Sequence, residues 1–140
     1  MGALSKSTCY ALYAMAEMTT ARGTPVTVTG VATRYRIPEG ALAKVFQQLV
    51  RARLAIGTRG IGGGYRLARS ASRITVLEVL QVFEPLPRRG PCLLHDRPGD
   101  SCPPRSACRL HWLFTEVDEL VRSTYESVTL DTLMKRAVRG

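Results

Sequence analysis

Fifteen residues in the middle of the chain limit its possible folds most: Leu54-Ala-Ile-Gly-Thr-Arg59-Gly60-Ile-Gly62-Gly63-Gly64-Tyr65-Arg66-Leu67-Ala68. Apolar residues at both ends and glycines in the centre predict a strand, a glycine-rich turn and a second strand. The glycines allow positive φ angles and let the backbone approach a partner closely. A nucleotide-binding loop is not favoured, because no strand-then-helix context or Gly-Lys-Ser/Thr ending accompanies the glycines.

The residues before this hairpin predict two helices joined by a tight turn. Thr29 is the expected cap of a short helix that runs through about Tyr35, and Ile37-Pro38-Glu39 starts the next helix. An apolar stripe along the second helix should face the core. The stripe comprises Leu42, Val45, Phe46, Leu49 and Val50, and the other positions include Ala43, Lys44, Gln47, Gln48 and Arg51.

Two such helices predict a helix-turn-helix, although a solvated face on an ordinary helix accounts for the same pattern equally well. The following hairpin favours DNA binding, because a hairpin tipped with arginine is typical of a wing. Arg59 is suited to a narrow minor groove, and the backbone amides around Gly60 are suited to phosphates.

The rest of the chain predicts further helices. The first covers residues 4–21, with Ser5 or Ser7 as its cap, and Cys9 on it is by itself more typical of a small core residue than of a ligand. Thr75 caps a helix through Phe83. After Cys108 an apolar stripe returns at intervals of three and four, formed by Leu110, Leu113, Phe114, Val117, Leu120, Val121 and Val128.

That long helix should bury its stripe against a second copy of the chain. A last short helix is expected around Leu130, Leu133 and Met134, followed by a fraying tail. The predicted fold is therefore mainly α with a small β-hairpin wing (α+β): a winged helix-turn-helix with a long C-terminal dimerisation helix.

Composition points to a polyanionic partner. Twenty Lys and Arg oppose eleven Asp and Glu, which gives a formal charge of +9. Nucleic acid is a better match than a membrane, because no helix is strongly basic on one face and apolar on the other. No apolar run approaches a membrane span, and nothing resembles a secretory signal, so a cytoplasmic location is expected. A thiol oxidoreductase is disfavoured, since there is no Cys-x-x-Cys pair or βαβ pattern.

Residues 85–108, called here the cysteine segment, require something other than a hydrophobic core to order them. Cys92, Cys102 and Cys108 lie among prolines and few aliphatic residues, and His111 follows. Converging thiolates indicate zinc or an iron–sulfur cluster. Zinc is less favoured, because its usual paired Cys-x2-Cys knuckles are absent. Unpaired surface thiols and disulfides are weaker alternatives in a chain without a secretory signal.

Taken together, these motifs resemble the IscR/NsrR-type family of bacterial winged-helix regulators that carry iron–sulfur clusters. The resemblance covers residues 4 to about 128. It is carried by Leu4-Ser-Lys with Tyr10-Ala-Leu, by Ile37-Pro38, by Arg59-Gly-Ile-Gly-Gly-Gly-Tyr65-Arg-Leu, by Ile74-Thr-Val-Leu-Glu-Val and by the three cysteines. It implies a homodimer that binds a palindromic operator in double-stranded DNA, acts as a repressor or an activator, and uses its cluster to sense iron, redox state, oxygen or nitric oxide.

The same resemblance implies the ligands of a [4Fe–4S] or [2Fe–2S] cluster. Cys92, Cys102 and Cys108 match the three cluster cysteines, although nine residues between the first two exceed the usual five. The fourth ligand in such regulators is a histidine where His111 stands, or a carboxylate from the partner subunit where Cys9 stands. Cys9 is the favoured fourth ligand here, because thiolate is the softer donor for iron. His111 is the alternative, and an open position or an exogenous ligand is a third possibility.

Three functional regions follow from these expectations. Residues 1–84 form the DNA-binding domain, residues 85–108 the cluster-binding loop, and residues 109–140 the dimerisation helix and tail. Lys44, Gln47 and Gln48 should face the major groove, with Arg51 near phosphates and Arg59 in the minor groove. Gly60 and Tyr65 complete the predicted DNA-binding residues.

Overall fold

The computed structural model describes residues 4–84 and 108–137. Six α-helices and one antiparallel hairpin make up this part of the chain, which confirms the predicted mainly helical fold with a small β wing. The elements are α1 (Lys6–Thr20), α2 (Val28–Tyr35), α3 (Glu39–Arg51), β1 (Ala55–Thr58), β2 (Gly64–Leu67), a 3-10 turn (Ala71–Arg73), α4 (Val76–Phe83), α5 (Arg109–Ser127) and α6 (Leu130–Ala137).

Helix α1 forms the centre of the domain. Ser5 caps it by accepting a hydrogen bond from the Thr8 amide at 3.2 Å, as predicted. One face of α1 is buried against α3, α4 and α6, and this face consists of Thr8, Ala11, Ala14, Met15 and Met18. Cys9 lies beside that face and is only half-buried, so it is not a core residue.

The helix-turn-helix forms as predicted, with one difference at its start. Thr27, and not Thr29, caps α2 by accepting a hydrogen bond from the Gly30 amide at 3.0 Å. The Thr29 hydroxyl instead donates to Glu39 at 2.8 Å, which links α2 to the first turn of α3. Arg36 takes the left-handed conformation between the helices (φ 55°), and the chain then turns so that Ile37 is buried.

Helix α3 buries its apolar stripe, with one correction. Leu42, Val45, Phe46 and Leu49 are at most 2% exposed, whereas Val50 is 37% exposed and does not belong to the core. Val50 lies about 80° from Leu42 around the helix, at the edge of the stripe, and the neighbouring wing leaves it half-open to solvent. The stripe is therefore narrower than the sequence pattern predicts.

The C-terminal part of the chain returns to the domain. The Val76 amide donates to the Val128 carbonyl at 2.8 Å, and the Leu130 amide donates to the Ile74 carbonyl at 2.9 Å. Leu130 is 1% exposed and packs in the main core, so α6 closes the domain against α1. The helix continues through Lys135 and Arg136 to Ala137, whereas the sequence predicts fraying there. No residue of α5 is buried within the described part of the chain.

Candidate nucleic-acid interface and cysteine ligands

The outer face of α3 carries the predicted groove-facing residues. Lys44, Gln47, Gln48 and Arg51 are all exposed, and they project from the side of the helix opposite its buried stripe. None of the four has a hydrogen-bonding or ionic partner among the side-chain interactions of the described residues. The amides and cations of α3 are therefore available to the edges of base pairs and to phosphates.

The wing lies beside α3 and forms a cleft with it. In the hairpin, Ala55 pairs with Leu67 and Thr58 with Gly64, and the turn between them exposes Arg59 and Gly60. The cleft has a volume of about 390 Å³ and is lined mainly by Gln47, Val50, Arg51, Thr58, Arg59 and Tyr65. Residues from the recognition helix and from the wing thus line one open surface.

Tyr65 attaches the wing to the core. Its ring stacks on Phe46 with 4.5 Å between centroids, and its backbone exchanges two hydrogen bonds of 2.8 Å with Val26. Val26 thus forms an isolated antiparallel bridge with Tyr65. A Cβ added to Gly64 would approach the Val26 carbonyl oxygen to 2.5 Å, so only glycine permits the bridge. Tyr65 is only partly exposed, and its contact with DNA stays a prediction.

The charge of this surface is of one sign. Residues 40–77 contain no Asp or Glu, and the cations in this range are Lys44, Arg51, Arg53, Arg59, Arg66, Arg69 and Arg73. Arg69 forms an ion pair of 2.8 Å with Glu78, just beyond the range. A recognition helix and wing with such a charge bias attract the phosphate backbone over a distance of about one Debye length, roughly 8 Å at physiological salt.

Two of the predicted metal ligands are described and two are not. Cys9 on α1 and Cys108 at the start of α5 are both half-buried free thiols. Cys92 and Cys102 lie outside the described residues. His111 is half-buried in the first turn of α5, where its amide donates to the Cys108 carbonyl at 3.2 Å. In residues 4–84 and 108–137, no three His, Cys, Asp or Glu side chains come together as a metal site.

Glu84, which follows α4, is held against the start of α1 by hydrogen bonds to its carboxylate, a contact that the sequence analysis missed. Glu84, the last described residue before the segment, accepts hydrogen bonds from the Thr8 hydroxyl at 2.6 Å and from the Ser5 amide at 2.7 Å. Thr8 is fully buried and also lies 2.9 Å from the Ser5 hydroxyl. A polar residue at a core position of α1 was the only signal in the sequence that such a partner exists.

This contact predicts a measurable pH dependence. The hydrogen bonds from Thr8 and Ser5 lower the pKa of Glu84. A lowered folded-state pKa contributes stability that is present above the unfolded pKa, about 4.3, and is lost as the pH falls through the folded-state value. The free energy of unfolding, measured with urea, should therefore fall more between pH 7 and the acid range for wild type than for Glu84→Gln. The glutamine keeps a hydrogen-bond acceptor but does not titrate.

The matched control is Glu119→Gln, which neutralises an exposed carboxylate on α5. It should retain the wild-type loss of stability in acid. Equal acid sensitivity in wild type and Glu84→Gln would contradict the assigned role of the Glu84 carboxylate.

The exposed α3 face, the attached wing and the continuous positive charge define a winged-helix DNA-binding protein. Comparison with known proteins agrees. The family model Rrf2, described as an iron-dependent transcriptional regulator, matches residues 4–136, and the chain belongs to this family.

Similar proteins cover almost the whole chain. BadM of Rhodopseudomonas palustris, named as an HTH-type transcriptional regulator, is 36% identical over 132 residues, which are 94% of this chain and 81% of BadM. The HTH-type transcriptional regulator IscR of Vibrio atlanticus is 31% identical over 127 residues, covering 90% of this chain and 71% of its own. These are transcriptional regulators and not enzymes, as expected for this chain.

Solved structures of low sequence identity share the fold. IscR of T. potens superimposes with a TM-score of 0.78 at 24% identity, covering 97% of this chain and 88% of its own. CymR of B. subtilis, titled a global cysteine regulator, also gives 0.78 at 24% identity, covering 97% and 98%. None of the helices in the described ranges is long and apolar enough to span a membrane.

Proposed function

We propose that this Rrf2 regulator acts as a homodimer whose binding to a palindromic operator is controlled by an iron–sulfur cluster. Cys92, Cys102 and Cys108 would hold the cluster together with Cys9 of the partner subunit. His111 is the alternative fourth ligand. The regulator would act in the cytoplasm, which stays a prediction.

The observation that carries this proposal is the exposure of α5. This 19-residue helix begins directly after Cys108 and has no buried residue in the described chain. Leu110, Leu113, Val117 and Leu120 are between 41% and 63% exposed along one stripe. Exposed leucines and valines at this spacing favour packing against a second helix, and a second copy of α5 presents the same stripe. In such a dimer the Cys108 thiol, at the start of α5, would lie near the subunit boundary.

The chemistry of the available donors fits an iron–sulfur cluster. Cys9 and Cys108 are free and partly accessible, and soft thiolates are the usual ligands of these clusters. Their two thiols do not form a site with other described residues of one subunit. A complete ligand set would therefore require Cys92 and Cys102, with Cys9 supplied by the second subunit.

When bound, such a cluster supplies a centre that responds to redox state, iron supply, oxygen or nitric oxide. The protein residues provide the connection to DNA. Cys9 lies one residue after Thr8, and Thr8 is hydrogen-bonded to Glu84 at the entrance of the cysteine segment. Helix α1 in turn packs on α3, the recognition helix. Ligation of Cys9 would thus fix the orientation of α1, and with it the spacing of two recognition helices on a palindrome.

A structural zinc site is the second candidate, because cysteine and histidine, such as Cys108 and His111, are the usual ligands of structural zinc. Purification without oxygen separates the two. We expect a coloured protein that contains iron and acid-labile sulfide, with visible absorption that oxygen bleaches. A colourless preparation with one zinc per subunit and no sulfide would replace the iron–sulfur proposal with the zinc site.

The wing contributes a testable share of operator affinity. Arg59→Ala should weaken operator binding by about 1–3 kcal/mol, because it removes the exposed guanidinium that would contact the minor groove. Fluorescence anisotropy with operator DNA at moderate salt measures this loss. Arg136→Ala removes the same charge from an exposed position on α6 and should bind nearly as wild type. Equal affinity of Arg59→Ala and Arg136→Ala would contradict the wing contact.

A further inference from the structure

Ile61 at the apex of the wing has the most exposed large apolar side chain in the described residues, at 110% relative exposure. It lies between Gly60 and Gly62, and it is not among the residues that pack on the core in the described part of the chain. A single exposed apolar side chain is common on protein surfaces and means little alone. Ile61 differs from such residues because the backbone turn around it holds its side chain in a fixed, outward position.

A closed turn fixes Ile61 at the apex. The Gly63 amide donates to the Gly60 carbonyl at 3.0 Å, and Gly62 has φ 77°. These values correspond to a type II turn in which Ile61 is the first central residue and glycine the second. A Cβ on Gly63 would collide with the Thr58 carbonyl, so the turn also packs tightly on its own strand. Ile61 is thus presented outward by a preformed turn, which lowers the entropic cost of binding through it.

The apex is also fixed relative to the recognition helix. The stacking of Tyr65 on Phe46 and the bridge from Tyr65 to Val26 attach the hairpin to the domain. The cleft between α3 and the wing places Arg59 on the same surface as Gln47 and Arg51. When α3 enters a major groove, the apex of the wing is therefore carried toward the adjacent minor groove.

The surroundings select the kind of partner. Ile61 follows the exposed Arg59 by two residues, and no carboxylate occurs in residues 40–77. An apolar side chain within such a positive surface matches a polyanion that also offers an apolar floor. The minor groove of A·T-rich DNA combines these properties, because only guanine places an amino group in it.

We propose that Ile61 packs on the floor of the minor groove and reads the absence of the guanine N2 amino group, so that it selects A·T pairs under the wing. This inference rests on the proposed operator binding and names a specificity residue for it. The aliphatic side chain would fill the space that the amino group of a G·C pair occupies. Apolar side chains, isoleucine among them, do enter the minor groove in other DNA-binding proteins, where they wedge between base steps. Arg59 supplies attraction to phosphates and to a narrow groove, whereas Ile61 supplies the steric selection.

The experiment uses full-length protein purified without oxygen. Operator sequences are first selected from a pool of random duplexes, and the positions under the wing are mapped by hydroxyl-radical footprinting. Each A·T pair there is then replaced by G·C, by inosine·C or by 2,6-diaminopurine·T. Inosine·C presents the major-groove edge of G·C without the amino group, and diaminopurine·T adds the amino group to an A·T-like pair.

Wild type should bind A·T and inosine·C operators alike, and should lose about fivefold or more in affinity with either amino-bearing pair. Ile61→Ala should bind all four operators within about twofold of one another, while Ile61→Val keeps most of the discrimination. Ile56→Ala, a matched truncation of a partly exposed isoleucine on β1, should discriminate as wild type does. Unchanged thermal unfolding of Ile61→Ala verifies its fold.

The failures can be told apart. If wild type selects an operator and Ile61→Ala retains the full discrimination, the role of Ile61 is overturned while operator binding stands. Loss of discrimination in Ile56→Ala to the same degree would also overturn it, since the effect would then belong to the whole wing. If wild type enriches no sequence from the pool, operator binding and this inference both fail.

Discussion

Replacing Leu113 and Leu120 together by glutamate is expected to convert the dimer into folded monomers and to reduce operator affinity by about 100-fold or more. Both side chains lie on the exposed stripe of α5, at 41% and 63% exposure, and two carboxylates there would oppose two more across the interface. Linking two DNA-binding domains in one dimer typically raises the affinity for a two-site operator by 10²–10⁴-fold, and a monomer loses that gain.

Analytical ultracentrifugation and anisotropy titrations measure the two effects. Because no residue of α5 is buried in the described chain, circular dichroism should show a folded monomer. Thr115→Glu with Ser123→Glu adds the same two charges to exposed positions off the apolar stripe and should remain dimeric. A Leu113/Leu120 variant that stays dimeric and binds DNA normally would contradict the assignment of α5 as the dimer interface.

Replacing Cys9 by alanine is expected to lower the cluster-loaded fraction to about a tenth or less after anaerobic reconstitution. Loss of outer-shell partners alone commonly costs metal sites 10–100-fold in affinity, and a direct ligand should cost at least as much. The half-buried position of Cys9, beside the core face of α1, makes a purely structural loss small, since the alanine leaves no large cavity. Iron and sulfide analysis with visible absorption gives the loaded fraction.

Two further variants make this result specific. Ser7→Ala changes an exposed neighbour on α1 and should load the cluster normally. His111→Ala should also retain a wild-type spectrum if Cys9 is the fourth ligand. The reverse pattern, an unchanged Cys9→Ala and a bleached His111→Ala, would transfer the fourth position to His111.

Much of the architecture could be predicted because local signals agree with tertiary packing. The caps Ser5 and Thr75 and the spacing of the stripe on α3 each specify a helix with its buried face, and the glycines before Tyr65 specify the hairpin. Thr75 and Glu78 even form a reciprocal capping box. Desolvation raises the pKa of Glu78, but hydrogen bonds from the Thr75 amide and Arg69 outweigh it, so the net shift is downward.

The errors occur where several local solutions were equally good. Thr27 and Thr29 both offer a hydroxyl two residues apart, and only the extended backbone at Thr27 (ψ 150°) decides which one caps α2. Val50 satisfies the three-and-four spacing but lies at the edge of the stripe. The prediction ended α6 too early, because it overlooked the pair of Asp131 and Lys135, whose charged groups lie 2.8 Å apart across the last turns of the helix.

The candidate site divides in the same way. The exposed residues of α3 and the wing could be predicted from periodicity and turn chemistry, since both are local. The contact of Glu84 with Thr8 spans 76 residues of sequence, and no short-range pattern reports it. Cys92 and Cys102 lie outside the described residues, so the predicted ligand set stays a prediction.

The most direct test measures the operator affinity of one anaerobic preparation before and after its iron is removed with a chelator. The single tryptophan, Trp112, lies four residues after Cys108 and is 63% exposed, so its fluorescence can follow removal in the same sample. We expect recovery of Trp112 emission together with a change in affinity of about tenfold or more, which reloading with iron and sulfide reverses. Identical affinity in the loaded and stripped forms would contradict control of this regulator by a cluster.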